Sequence, residues 1–205
     1  MSKKVFIFDY DGVIVDTFDV FFEYFMKGCE KEGVTEIKTK EDFLRLYNGN
    51  MYESMFKMGM SKEKILRIVY TMKDGILKHQ DKIDLFLGIK NVIKRLSKDN
   101  LLYIVTSSET DLVIKFLKIH GINEFFEDVI GSDKEHNKIK KIKSIKEKHT
   151  NVSFFYIGDT AGDIVEGGNA DVVTVAVGWG WHSKNVLLDE NPDFFVNNPK
   201  DLLCL

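Results

Sequence analysis

The sequence predicts an α/β protein, a doubly wound parallel sheet with an α-helical insertion between its first two strands. Three observations predict it. The first is a set of short continuous apolar runs, Val5-Phe6-Ile7-Phe8, Leu101-Leu102-Tyr103-Ile104-Val105 and Ser153-Phe154-Phe155-Tyr156-Ile157. Runs of this length suit strands buried on both faces of a parallel sheet. The second is that each run ends in reactive polar groups: Asp9-Tyr10-Asp11-Gly12, Thr106-Ser107-Ser108 and Gly158-Asp159-Thr160-Ala161-Gly162-Asp163. A parallel sheet gathers such groups along its carboxyl edge, where its ligands bind. The third is that helical periodicity alternates with strands from Ile89 onward, whereas from Thr39 to about Gln80 the pattern is purely helical, with no strand to interrupt it.

The elements follow in order. After the first strand, Phe18, Phe21, Phe22, Phe25, Met26 and Cys29 recur at helical spacing. Thr39 and Asp42 stand as a capping pair, and Ser61 as the cap of a helix whose apolar face is Ile65, Ile68, Val69, Met72 and Ile76. The Met and aromatic residues Met51, Tyr52, Met55, Phe56, Met58 and Met60 read as packing of a small helical bundle, with a substrate-lining role as the alternative. A helix near Ile89 to Leu96 leads into the strand from Leu101. Ser108, three residues before Asp111, is expected to cap the next helix and aim its free amides at an anion. Lys138 opens a further helix after Asp128-Val129-Ile130-Gly131-Ser132-Asp133. The expected core therefore comprises residues 1–16 and 84–205, with about five parallel strands, and residues 17–83 form the insertion.

Two carboxylates one residue apart at a strand end repel, and one becomes neutral unless a cation lies between them. A hard ion, Mg2+ above all, fits that need and leaves one carboxylate free to attack or to move a proton. An Asp-x-Asp-Gly turn also opens a calcium-binding loop, but Val13 and Val20 stand where that loop needs oxygen ligands. A plain acidic turn is the remaining alternative.

The motifs Phe8-Asp9-Tyr10-Asp11-Gly12, Thr106-Ser107-Ser108, Lys138 and Gly158-Asp159-Thr160-Ala161-Gly162-Asp163 together resemble the haloacid dehalogenase superfamily, and within it the phosphoglycolate phosphatase-like branch. The tail Val177-Gly178-Trp179-Gly180-Trp181-His182-Ser183, followed by Pro192-Asp193-Phe194-Phe195-Val196, extends the likeness over nearly the whole chain. The resemblance implies a Rossmann-like core with a helical cap domain. It implies Mg2+-dependent hydrolysis of a small phosphomonoester, with phosphoglycolate as a candidate.

Asp9 is the candidate nucleophile, giving an aspartyl-phosphate, and Asp11 the acid and base for the leaving alkoxide and the attacking water. Asp9, Asp11 through its backbone carbonyl, Asp159, and Asp163 directly or through water make up the expected metal site. Thr106, Ser107 and Lys138 are the expected phosphate ligands, and Lys138 balances the charge of Asp9. Members of the superfamily commonly have Pro after this lysine. Ile139 stands there instead, and Lys134, Lys140 and Lys141 compete for the role. The dehalogenases carry Tyr where Asp11 stands; expelling a halide needs no proton donor and expelling an alkoxide does, so Asp11 points to phosphate esters.

Two rivals remain. A sugar-phosphate mutase is one, because Asp-Gly-Val-Ile-x-Asp-Thr also resembles the β-phosphoglucomutases; Phe21 stands where that group carries a His. A non-catalytic phosphate-binding scaffold is the other, opposed by the intact Asp9, Asp11, Lys138, Asp159 and Asp163. The net charge of −3 offers no basic face for nucleic acid, and the lysine-rich stretch 134–148 reads as one solvated helix face. No apolar run approaches the ~20 residues that cross a membrane. Cys29 and Cys204 fit no metal spacing and suit a reducing cytoplasm. Asp16, Asp133 and Asp171 read as caps or loop residues, and His182 as a loop residue.

Overall fold

The computed structural model describes residues 3–79 and 82–205. The chain divides into two compact units, residues 1–15 with 85–205, and residues 16–84. The first unit is built on six parallel strands: β1 (Lys4–Phe8), β4 (Leu101–Val105), β5 (Asp128–Ile130), β6 (Ser153–Gly158), β7 (Val173–Val177) and β8 (Phe194–Val196). They lie in the order β5-β4-β1-β6-β7-β8. The short edge strand β8 brings the count above the five expected.

Chain order runs outward from β1 to β4 and β5, then returns to β6 on the other side of β1. The direction reverses beside β1, and this reversal makes the crevice where ligands bind in such sheets. Helices α5 (Ile89–Leu96), α6 (Thr110–Ile119), α7 (Lys138–Lys146), α8 (Ala161–Asn169) and α9 (Lys184–Asp189) connect the strands. Val5 to Phe8 are at most 1 % exposed, as expected for a central strand covered on both faces. Val5 and Ile7 pack with Tyr103, Val105, Ile142, Ile145 and Tyr156, and Phe6 stacks on Phe155 with ring centroids 5.1 Å apart.

The second unit is helical: α1 (Phe18–Lys31), α2 (Lys40–Arg45), α3 (Met51–Lys57) and α4 (Lys62–Lys78). The ribbon of β2 (Val15–Asp16) and β3 (Asp84–Leu85) carries the chain out to it and back. Thr39 and Asp42 form the expected capping box, and the Ser61 hydroxyl accepts the Lys64 amide. Phe43 is the centre of an aromatic cluster, 4.8 Å from Phe25 and 5.6 Å from Phe22 by ring centroids. Of the Met and aromatic residues of α3 and the turn after it, Met55 and Met60 are buried, whereas Phe56 and Met58 are exposed.

One expected cap is corrected. Helix α6 begins at Thr110, with Glu109 before it making no side-chain cap. Ser108 is turned away to Asp11 instead. The Thr110 amide donates to Asp133 Oδ1 at 2.7 Å, and the Thr110 hydroxyl to the same oxygen at 2.8 Å. The anion at this helix start is thus a side chain from 23 residues away, and the Thr110 amide is not left for a ligand.

Candidate active site

Three strand ends bring the predicted residues together. The Asp9 amide donates to the Ile157 carbonyl at 2.8 Å, so the residue after β1 stays registered on β6. That places Asp9 beside the Gly158-Asp159 turn. The following residues fold back tightly: Ile14 and Val15 amides both donate to the Tyr10 carbonyl, at 2.9 and 3.2 Å. Gly12 adopts φ +81°, and a Cβ there would run into the Asp159 carboxylate. A glycine is required both by the left-handed backbone and by the close approach.

Asp9 is 6 % exposed. Its Oδ1 accepts the Tyr10 amide at 2.8 Å and its Oδ2 accepts the Lys138 ammonium at 3.0 Å. The same ammonium donates to Asp163 Oδ1 at 2.7 Å. Among the competing lysines, Lys134 turns to Asp128 and the Val129 carbonyl, and Lys141 to the Thr106 carbonyl; Lys140 is exposed. Lys138 is therefore the lysine that faces Asp9.

Asp163 is held on every side. Besides Lys138, its Oδ1 accepts the Tyr156 hydroxyl at 2.9 Å, and its Oδ2 accepts the Thr160 hydroxyl at 2.6 Å and the Thr160 amide at 3.1 Å. The Thr160 hydroxyl oxygen in turn accepts the Asp163 amide at 3.2 Å, closing a capping box at the start of α8. Four donors leave this carboxylate little capacity for a direct bond to an ion.

Asp159 is fully buried and differently served. Its Oδ2 accepts the Trp181 amide at 2.7 Å and its backbone carbonyl the His182 amide at 3.2 Å. His182 Nδ1 accepts the Ala161 amide at 3.0 Å, so the loop after β7 clasps the Asp159 turn from both sides. Asp159 Oδ1 has no hydrogen-bond partner among the described residues. A buried carboxylate oxygen left bare is costly unless something electropositive meets it.

The charges agree. Burial pushes the Asp9 carboxyl up to about 8, with Lys138 opposing and the Asp163 and Asp11 charges adding to the rise. Burial likewise holds Asp159 well above the usual carboxylate range, aided by the charges of Asp163 and Asp9. Burial works to raise Asp163 too, but Lys138 and the donors around it prevail and hold it below that range. Burial would lower Lys138; Asp163 and Asp9 outweigh it and raise the ammonium well above its ordinary value. Carboxylate oxygens of Asp9, Asp159 and Asp163 lie within 4.8 Å of one another. One lysine does not neutralise three carboxylates. A divalent cation fits this all-oxygen set, with Asp9 and the bare Asp159 oxygen as natural ligands.

Asp11 lies outside that cluster of carboxylates. Its Oδ2 accepts the Ser108 hydroxyl at 2.7 Å, 97 residues away in the chain. Thr106 is fully buried, and its hydroxyl oxygen accepts the Ser108 amide at 3.0 Å. That uses an acceptor position and leaves the Thr106 hydroxyl proton to donate. Ser107 is exposed at the tip of the turn. Trp179 Nε1 donates to the Val13 carbonyl at 3.1 Å, a packing role at the rim of the Asp9 turn.

Sequence reasoning missed Tyr156, the capping role of Thr160 and the Trp181 amide, and it named Lys141 only as a competitor for the place of Lys138. The Thr160-x-x-Asp163 spacing is a legible capping box. Trp181 acts through its backbone amide, which carries no sequence signal. Tyr156 and Lys141 look like ordinary strand and helix-face residues until the fold brings them to the site.

Comparison with known proteins bears on this arrangement. A family model described as haloacid dehalogenase-like hydrolase matches residues 6–177. The chain is 27 % identical over 206 aligned residues to pyrophosphatase PpaX of Listeria innocua, covering 97 % of this chain and 94 % of that one. It is 25 % identical to pyrophosphatase PpaX of Halalkalibacterium halodurans, over 99 % of this chain and 96 % of that one. Among solved structures, the haloacid dehalogenase-like family protein SP0104 of Streptococcus pneumoniae superposes with a TM-score of 0.81 at 26 % identity, covering 98 % of this chain and 97 % of that one. A predicted phosphoglycolate phosphatase of Haemophilus somnus shares the fold, with a TM-score of 0.73 at 16 % identity over 98 % of this chain and 97 % of that one.

Proposed function

This chain belongs to the haloacid dehalogenase-like hydrolase family, as an enzyme of the phosphatase kind, and from that premise we propose that it hydrolyses a small phosphorylated metabolite through an aspartyl-phosphate on Asp9. The observation that carries the reading is the Lys138 ammonium shared between Asp9 Oδ2 and Asp163 Oδ1 beside the bare Asp159 Oδ1. It combines a nucleophile, a fixed positive charge and an open ligand position in one place. Phosphoryl transfer needs little else from a protein but positioning and charge.

In the first step an Asp9 oxygen attacks phosphorus and the bond from phosphorus to the leaving alkoxide breaks. Asp11, entering protonated, gives its proton to that alkoxide. In the second step Asp11, now a carboxylate, takes a proton from water as the water oxygen attacks phosphorus. The bond from phosphorus to Asp9 breaks, inorganic phosphate leaves, and Asp11 is again protonated. Ser108 holds Asp11 on the side of the Thr106-Ser107 turn throughout, and Thr106 and Ser107 donate to phosphate oxygens. Mg2+, when bound, supplies a Lewis acid that draws charge from those oxygens, and Asp9, Asp159 and the Asp11 carbonyl would hold it, with Asp163 acting through water.

The relatives named pyrophosphatase favour pyrophosphate as one substrate to test, and the original resemblance favours phosphoglycolate. Free Cys29 and Cys204 fit a cytoplasmic enzyme, and no helix among the described residues is long and apolar enough to cross a membrane. The mutase reading stays behind because Phe21 offers no proton shuttle. The test is phosphate release from a panel holding phosphoglycolate, hexose phosphates, an aryl phosphate and pyrophosphate, with and without Mg2+. Release from at least one, dependent on Mg2+, is expected; none from any would overturn the reading.

A further inference from the structure

Helix α7 carries a second buried cation. Lys141 follows Lys138 by three residues and lies on the neighbouring position of the same helix face. It is 1 % exposed, among the most deeply buried large side chains of the protein. Its ammonium donates to the Thr106 carbonyl at 2.6 Å, and among the described residues no carboxylate pairs with it.

Stability does not explain such a residue. Lysines are almost never fully buried without a partner ion, because removing an ammonium from water is costly and one carbonyl does not replace its hydration. Its helix neighbours Ile142 and Ile145 are fully buried apolar residues, and a methionine at 141 would fill the same apolar surroundings, giving up only the bond to the Thr106 carbonyl. Burial pushes the Lys141 ammonium down to about 8, with the Lys138 charge adding and Asp9 opposing, so it remains a cation at neutral pH.

What Lys141 holds is informative. The Thr106 carbonyl belongs to the first residue after β4. The Thr106 hydroxyl oxygen accepts the Ser108 amide at 3.0 Å, and the Ser108 hydroxyl donates to Asp11 at 2.7 Å. An unbroken chain of contacts thus runs from Lys141 through the turn to the expected acid.

We propose that Lys141 is a positioning residue for the phosphate-binding turn: it anchors Thr106 so that residues 106–108 keep their donors on the substrate phosphate and on Asp11, and its unpaired charge strengthens the site for a phosphate dianion. The proposal rests on the phosphatase reading. The two lysines of α7 then divide the work, Lys138 on the nucleophile and Lys141 behind the turn.

The test is Lys141→Met in the full chain with Mg2+ present, read by calorimetric titration with inorganic phosphate, by kcat and KM, and by thermal melting. Phosphate affinity should weaken about tenfold, the scale of one interaction with a charged group, while the melting temperature holds or rises. A merely structural lysine would do the reverse, lowering the melting temperature and leaving phosphate affinity per folded molecule unchanged, and that result overturns the proposal. Lys141→Gln, which keeps a donor for Thr106 without the charge, is read the same way if the Met variant does not fold; failure of both to fold also overturns it. A wild-type protein that neither binds phosphate nor releases it from any substrate would sink the phosphatase reading itself, whereas an active wild type with indifferent Lys141 variants sinks this inference alone.

Discussion

Lys138 and Asp163, 25 residues apart, are joined at 2.7 Å, and this pair is what brings the Lys138 ammonium to Asp9. Asp163 is itself fixed by Tyr156 and by its own capping box with Thr160. The start of α8 therefore sets the position of an ammonium that lies at the end of β1.

Asp9→Asn should abolish turnover, because an amide does not attack phosphorus, and should leave the fold intact. The Asn side chain can still accept the Tyr10 amide. Removing one carboxylate from a crowd of three also relieves repulsion, so the metal-free variant should melt no lower than the wild type. The pair of measurements is phosphate release by pure protein and a melting curve in chelator. Retention of more than a small residue of activity would take the nucleophile role from Asp9.

Asp11→Asn isolates the proton. Its oxygen still accepts the Ser108 hydroxyl, so the turn keeps its shape while the acid is lost. General acid catalysis contributes about 10²–10⁴-fold, and an aryl phosphate, with its better leaving group, needs less of it. The variant should lose far more activity on an alkyl phosphate than on an aryl phosphate. Equal losses on both would remove Asp11 from the acid role.

The fold was legible in the sequence where local pattern and tertiary structure agree. The run Val5–Phe8 is apolar without alternation because β1 is covered on both faces, and the helix read near Ile89 to Leu96 is α5. Thr39-Asp42 capped its helix because both partners lie within one turn. Ser108 failed the same rule for a long-range reason: Asp11 competes for its hydroxyl, and Asp133 serves the Thr110 amide. In the site, Asp9, Asp159 and Lys138 were legible as side chains at strand ends and at a helix start. The Trp181 amide on Asp159 and the Lys141 ammonium on Thr106 depend on loop path and helix rotation, which residue types do not encode.

The carboxylate crowd gives a pH signature. Unfolded, Asp9 titrates near 3.8; folded, burial pushes it up to about 8. Between those values the folded protein binds more protons than the unfolded chain, so metal-free stability should fall as pH rises from about 4 to about 8. Asp159 is shifted the same way and steepens the fall. Asp163, held low, contributes stability above its unfolded value and loses it only at lower pH, outside this window. Mg2+ should flatten the slope, stabilising most at the alkaline end, by about 2.7 kcal/mol at a hundred times its Kd if it binds only the native state. Melting curves from pH 4.5 to 8.5 in chelator and in Mg2+ test this. A metal-free midpoint that rises across the window, or an Mg2+ shift of zero at pH 8, would contradict it.

Gly12→Ala tests the geometry of the metal ligand set without touching a charge. Gly12 sits at φ +81°, where any L side chain is strained, and the added methyl would run into the Asp159 carboxylate. Gly33 supplies the control: it also has a positive φ, +65°, but a Cβ there meets nothing within 4 Å. Gly33→Ala should therefore cost only the backbone term, about 1–2 kcal/mol, with activity unchanged. Gly12→Ala should cost more than that, and it should also weaken Mg2+ binding, because the methyl displaces the carboxylate whose free Oδ1 is the expected ligand. Denaturant unfolding gives the two stability losses, and Mg2+ titrations followed by melting temperature give the affinities. Equal stability losses at the two glycines, with Mg2+ affinity unaltered in both, would show that the contact between Gly12 and Asp159 does not shape the metal site.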